Sequence, residues 1–171
     1  MRVQSPLLLA SLALLAPTFV SAQPGVPMRR DGLWEMTMQM SAPMQMTMTS
    51  RQCTDATQEK AGAAFRNSGP SGASGVDCKS GIPLPAPGGG WSFSSTCTMR
   101  NMTMSTSGTA RGDFRSGYHM ESVTRMSPAP MPQMAENHMI IDAKWIGPCP
   151  ADMKPGDVEM NGRRISAKPR G

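Results

Sequence analysis

The chain has 171 residues, with 17 Lys or Arg against 12 Asp or Glu, a formal net charge of +5, 18 methionines and 4 cysteines. That length holds one domain with its own core and not comfortably two. The positive excess is mild and the basic residues form no patch interleaved with aromatics, which argues against nucleic acid as a partner.

Residues 1–22 read as a secretory signal peptide. Arg2 precedes an apolar run over residues 6–17, and Val20-Ser21-Ala22 supplies a small-residue cleavage site. The run is too short to span a bilayer comfortably, and no later stretch approaches the roughly 20 apolar residues of a membrane helix. The mature chain is therefore expected to begin at Gln23, to carry no transmembrane segment, and to be periplasmic or secreted. A β-domain over residues 23–149 and a basic tail over 150–171 complete the expected organisation.

From Gly32 the sequence alternates. Trp34, Met36, Met38 and Met40 occupy every second position, and Met44, Met46 and Met48 do so again after Ser41-Ala42-Pro43. Successive side chains on a strand point to opposite faces, so this pattern predicts a hairpin, residues 32–40 and 44–53, with one apolar, sulfur-rich face and one polar face. Thr54 and Asp55, with Gln58 three residues beyond, form a capping-box pattern, and Ala56, Ala61, Ala64 and Phe65 give a small apolar stripe. A short helix to about Arg66 is expected, packed as a lid or plug on the sheet.

Residues 67–75 are a Gly/Ser loop by composition. A short strand over 76–80 carries Cys78, a Pro/Gly loop covers 83–90, and Trp91 to Met99 alternate as an amphipathic strand. A further strand runs from Met102 to Phe114, with Gly108 and Gly112 suited to a bulge or bend. Tyr118, Met120, Ser122, Thr124 and Met126 share a face of the next strand. After a Pro-rich loop over 127–136, Met139, Ile141, Ala143 and Trp145 form the apolar face of the last strand, which ends at Gly147-Pro148-Cys149. Seven strands with loops between them and no βαβ rhythm predict a mainly β fold. It is a single antiparallel sheet or barrel-like domain with one short helix. Residues 150–171 show no convincing period and end in Arg163, Arg164, Lys168 and Arg170, so an extended or disordered basic tail is expected.

Four cysteines in an exported chain read as two disulfides, with three pairings possible and no C-x-x-C redox or zinc spacing. Strand placement favours Cys78–Cys97, which flank one Pro/Gly-rich turn, and Cys53–Cys149, which each close a strand.

Gly32-Leu33-Trp34-Glu35 soon after the signal, Met-x-Met strands, Gln52-Cys53 before a short helix, Asp77-Cys78, Thr96-Cys97 and a final Gly147-Pro148-Cys149 occur in a specific order. In that order the chain resembles the exported bacterial family catalogued as domain of unknown function 3617, over nearly all of the mature chain to about Cys149. The resemblance implies location and architecture; the family brings no established activity.

Catalysis needs convergent groups with matched protonation, and the chain is poor in them. His119 and His138 are the only histidines, each on the polar phase of its strand. No nucleophile elbow, phosphate loop or zinc-protease motif is present. Asp113, Glu121 and Asp142 read as a solvated face, and the chain is expected not to be an enzyme and to need no cofactor. The methionines are the anomaly. Core packing explains them most simply, since an unbranched thioether fills irregular gaps. A second reading is a Cu(I) site, because Cu(I) prefers soft thioethers and side chains two apart on a strand lie about 6.6 Å apart; its candidates are Met36, Met38, Met46, Met48, Met120 and Met139. An apolar ligand such as a lipid chain, and an oxidant-consuming role, complete the alternatives. The basic tail reads as a solvated end, with contact to anionic lipid headgroups as its functional option. The preferred reading is a non-enzymatic exported module that binds an apolar small ligand or associates with the envelope, and a periplasmic Cu(I)-handling protein is the runner-up.

Overall fold

The computed structural model describes residues 27–41, 45–59 and 76–166. The stretch read as a signal peptide, the expected start of the mature chain, residues 42–44, the part of the expected helix beyond residue 59 and residues 67–75 lie outside the described residues.

Among the described residues, ten strands form one antiparallel sheet. They are β1 (Gly32–Met40), β2 (Met46–Thr54), β3 (Val76–Ser80), β4 (Leu84–Pro85), β5 (Trp91–Met99), β6 (Met102–Gly112), β7 (Gly117–Ser127), β8 (Glu136–Gly147), β9 (Val158–Met160) and β10 (Arg163–Ile165). The order across the sheet is β10-β9-β2-β1-β8-β7-β6-β5-β3, with β4 paired on β5. The sheet is open, so the class matches the expectation, and all seven expected strands are present. The additional three are the two-residue β4, inside the expected loop, and the pair β9 and β10.

That pair corrects the reading of the C-terminal residues as an extended or disordered tail. Residues 158–165 form a hairpin that continues the sheet beyond β2, with Ser50 opposite Met160 and Gln52 opposite Val158. Its turn is Asn161-Gly162, both at positive φ (52° and 71°). This is the geometry that Asn-Gly supplies in a two-residue hairpin loop. Arg164 is tied back to Asp152 at 2.9 Å and to Glu159 at 3.5 Å, so one of the four tail charges is spent within the fold. Arg163 is exposed on β10, and Lys168 and Arg170 lie outside the described residues.

Among the described residues there is no α-helix, only a 3₁₀ turn at Pro132–Met134 in the Pro-rich loop. Asp55 does make the hydrogen bonds of a capping residue. Asp55 Oδ1 accepts the N–H groups of Thr57 and Gln58, each at 3.0 Å, and Glu59 N–H donates to the Asp55 carbonyl at 2.8 Å. Gly108 is not a bulge; it faces Phe93 on β5, and a Cβ there would collide with the Phe93 ring and the Glu121 carbonyl. It is the flat spot on which Phe93 sits.

The two bridges run Cys53–Cys149, 96 residues apart, and Cys78–Cys97, 19 apart. The short one joins directly paired residues of β3 and β5. The long one sits with Leu33 and Met153 in a small buried cluster on the face opposite the methionines.

Candidate functional site

Strand alternation and register put the even-numbered residues of β1, β2, β6 and β7 and the odd-numbered residues of β8 on one face. Met36 lies opposite Ala143 and Ala143 opposite Tyr118; Met38 opposite Ile141, then Met120, then Ala110; Met40 opposite Met139, then Ser122, then Gly108. On the other side of β1, Met38 faces Met48 and Met40 faces Met46.

This face divides along the strands. At one end the aromatics are packed: Trp34 is 0% exposed, Phe114 stacks on Tyr118 with centroids 5.0 Å apart, and Phe93, Ala110, Met120, Ile141 and Ala143 complete a buried cluster. The segment before β1 is pinned across that end. Arg30 N–H donates to the Phe114 carbonyl, Trp34 Nε1 donates to the Arg30 carbonyl at 2.8 Å, and the Arg30 guanidinium lies 3.9 Å from the centre of the Trp145 ring. Beside it is a buried ion pair. Arg29 Nε and Nη2 both donate to Glu59 Oε2, at 2.9 and 2.8 Å, and Nη1 donates to Gln52 Oε1 at 3.2 Å. Glu59 Oε1 is buried with no hydrogen-bond partner.

The other end is rich in methionine and open. Met46 is 41% exposed, and Met38, Met40, Met48 and Met139 are half-buried. Of the six methionines singled out as possible ligands, the structure brings Met38, Met46, Met48 and Met139 together here. Met36 is placed differently, since its sulfur takes contacts from the Tyr118 hydroxyl at 3.9 Å and Arg29 Nη1 at 4.0 Å. Burial raises the Tyr118 phenol above its ordinary value, so the hydroxyl stays neutral and remains a donor. Met120 is 1% exposed and belongs to the core. Met40, absent from those six although it shares their alternation, stands between Met46 and Met139. Ser122, also not singled out, faces Met139 with a buried hydroxyl that has no hydrogen-bond partner, next to a Thr106–Thr124 hydroxyl pair at 2.8 Å. Nothing in local sequence marks Ser122; only the cross-strand register reveals it.

The histidines stay on the polar face, so no imidazole joins the thioethers. His119 Nδ1 lies 2.7 Å from Asp142 Oδ1 and Nε2 lies 3.1 Å from Glu121 Oε1, and His138 pairs with Glu136 at 2.9 Å. The hydrogen bonds to Asp142 first, then to Glu121, raise His119 above its ordinary value of 6.5. Its stabilising contribution is therefore fully present below about pH 6.5 and is lost as pH rises through the higher folded-state value. The ring is 45% exposed, so solvent screening keeps that contribution small. Imidazole NMR should show His119 titrating above 6.5, with Asp142→Asn moving the midpoint down; a wild-type midpoint at or below 6.5 would mean that the carboxylates do not hold the ring.

The fold is a single open antiparallel sheet, disulfide-linked at two places, whose apolar face is core at one end and accessible at the other. The family described as "Protein of unknown function (DUF3617)" matches residues 29–149, and the chain belongs to that family. No curated protein and no solved structure matches it.

Proposed function

We propose that the protein is a non-catalytic, exported binding module that holds an apolar small ligand, of the lipid acyl-chain type, against the methionine end of its sheet. The observation that carries this reading is the gradient of exposure along one continuous apolar face, from Trp34 at 0% to Met46 at 41%. Thioether side chains are flexible and polarisable, and surfaces made of them adapt to apolar partners of varied shape. The register rows of this end, Met48–Met38–Ile141 and Met46–Met40–Met139–Ser122, contain no charged residue, which suits a neutral chain. The unpaired Ser122 hydroxyl gives such a ligand one polar point to satisfy, since a buried hydroxyl without a partner costs free energy that a carbonyl or hydroxyl of the ligand would recover. Two disulfides fit an oxidising compartment outside the cytoplasm. Envelope association would then follow from the ligand. No helix among the described residues is long and apolar enough to cross a membrane.

The test is displacement of a fluorescent apolar probe, N-phenylnaphthylamine, by a long-chain fatty acid. Saturable, displaceable binding is expected. Met46→Gln and Met139→Gln should each weaken it about tenfold or more, because covering one such side chain is worth about 1.5–3 kcal/mol. Absence of saturable binding, or binding indifferent to both substitutions, would overturn the proposal.

A further inference from the structure

The same end of the sheet carries a second capacity that does not depend on whether a lipid chain binds there. Met46, Met40 and Met139 form one cross-strand row over three adjacent strands, with Met40 in the middle and directly paired on both sides. Directly opposed side chains on neighbouring strands have Cβ atoms about 4.5–5.5 Å apart. A methionine has three rotatable bonds, so three such thioethers can turn their sulfurs toward one point above the central strand. The next row, Met48 and Met38, lies one pleat away on the same face and can supply a fourth sulfur. We infer that this row is a binding site for a soft monovalent d¹⁰ cation, Cu(I).

The chemistry of the donor set decides the cation class. All the donors are neutral thioethers, and the histidines are held on the opposite face by carboxylates. All four cysteines are in disulfides, so no thiolate is present. Hard cations take oxygen and Zn²⁺ takes nitrogen or thiolate, whereas Cu(I) is the first-row ion that prefers soft sulfur. Access and commitment decide the residues. Met46 is exposed, and Met40 and Met139 are half-buried, which lets an ion arrive without unfolding the sheet. Met120 is in the core, and the Met36 sulfur is already engaged by Tyr118 and Arg29. Elsewhere among the described residues Met99, Met102, Met104 and Met126 also share a face, but in two separate register rows of two thioethers each, Met104 with Met126 and Met99 with Met102. The β2–β1–β8 row is where three meet.

The experiment is an anaerobic competition in which the full mature chain, disulfides intact, takes Cu(I) from its bicinchoninate complex, with Ag(I) as a redox-silent second probe. Withdrawal of one equivalent is expected, and Zn(II) should not displace it. Loss of an outer partner of a metal ligand already costs about 10–100-fold in affinity, so removing a ligand itself, in Met40→Leu, Met46→Leu or Met139→Leu, should cost at least about tenfold. Leucine keeps side-chain volume and apolarity, so these variants should melt like wild type and lose only a sulfur donor. N-phenylnaphthylamine binding by the wild-type protein is read separately, so failure of the metal site and failure of the apolar-ligand reading are distinguishable. Met36→Leu and Met120→Leu should leave Cu(I) affinity unchanged. No withdrawal of Cu(I), withdrawal untouched by Met40→Leu, or an equal loss in Met120→Leu would each overturn the inference.

Discussion

Converting Cys53 and Cys149 together to alanine should lower the stability of the fold by about 4.7 kcal/mol, the loop-entropy value for a closed loop of about one hundred residues. The bridge spans 96 residues and ties the end of β2 to the chain just beyond β8, the two strands that flank β1. Its loss would free the unfolded chain far more than it would alter local contacts. It would also loosen the small cluster of Leu33 and Met153 packed around it. The matching change at Cys78 and Cys97, which closes a loop of 19 residues, should cost about 3 kcal/mol. Denaturant unfolding of both variants checks the order; a smaller loss for the long bridge would show that native-state packing, not chain entropy, sets its contribution.

The other large effect is expected at Arg29. Alanine there should cost about 3–5 kcal/mol, because it leaves the carboxylate of Glu59, 1% exposed, without its cation. The cost comes from the stranded charge more than from the lost attraction. Arg29→Met combined with Glu59→Leu should therefore recover most of the loss, since well-packed apolar replacements of a buried pair are often neutral or stabilising. Equilibrium melts of the single and double variants decide this. A double variant as unstable as Arg29→Ala would mean that the site depends on the hydrogen bonds to Gln52 and Thr54 instead.

The long bridge was legible from strand placement, but the ion pair is not written in local sequence. Arg29 and Glu59 are 30 positions apart, neither stands in an alternating strand, and only the folded path brings them together. The central strands were legible because period-two alternation of Trp, Met and Ile is a strong signal, and β1, β3 and β5 have the boundaries that pattern gives. The β9–β10 hairpin was missed, reading in sequence as a tail, because its three-residue strands are too short to show a period. Asn-Gly was the signal to weigh there. Within the candidate site, sequence put the right methionines on one face. It could not rank them, because the rank depends on neighbours across the sheet. Met120 differs from Met46 by lying beside Ile141 and Ala110 rather than at the margin beside Met40. Met40 gained its central place only from the register that sets it between β2 and β8.

The central claim is that one apolar face is core at its aromatic end and accessible at its methionine end. Brief exposure of the folded protein to peroxide, followed by peptide mapping, tests it most directly, because conversion of a thioether to its sulfoxide follows solvent access. On this face Met46 should oxidise first, in step with the exposed Met28 and Met131 outside it, and Met40, Met48 and Met139 next, while Met120 and Met153, 1% and 6% exposed, should resist until the protein unfolds. Sulfoxide appearing at Met120 as early as at Met46, or Met46 as protected as Met120, would contradict the division of the face.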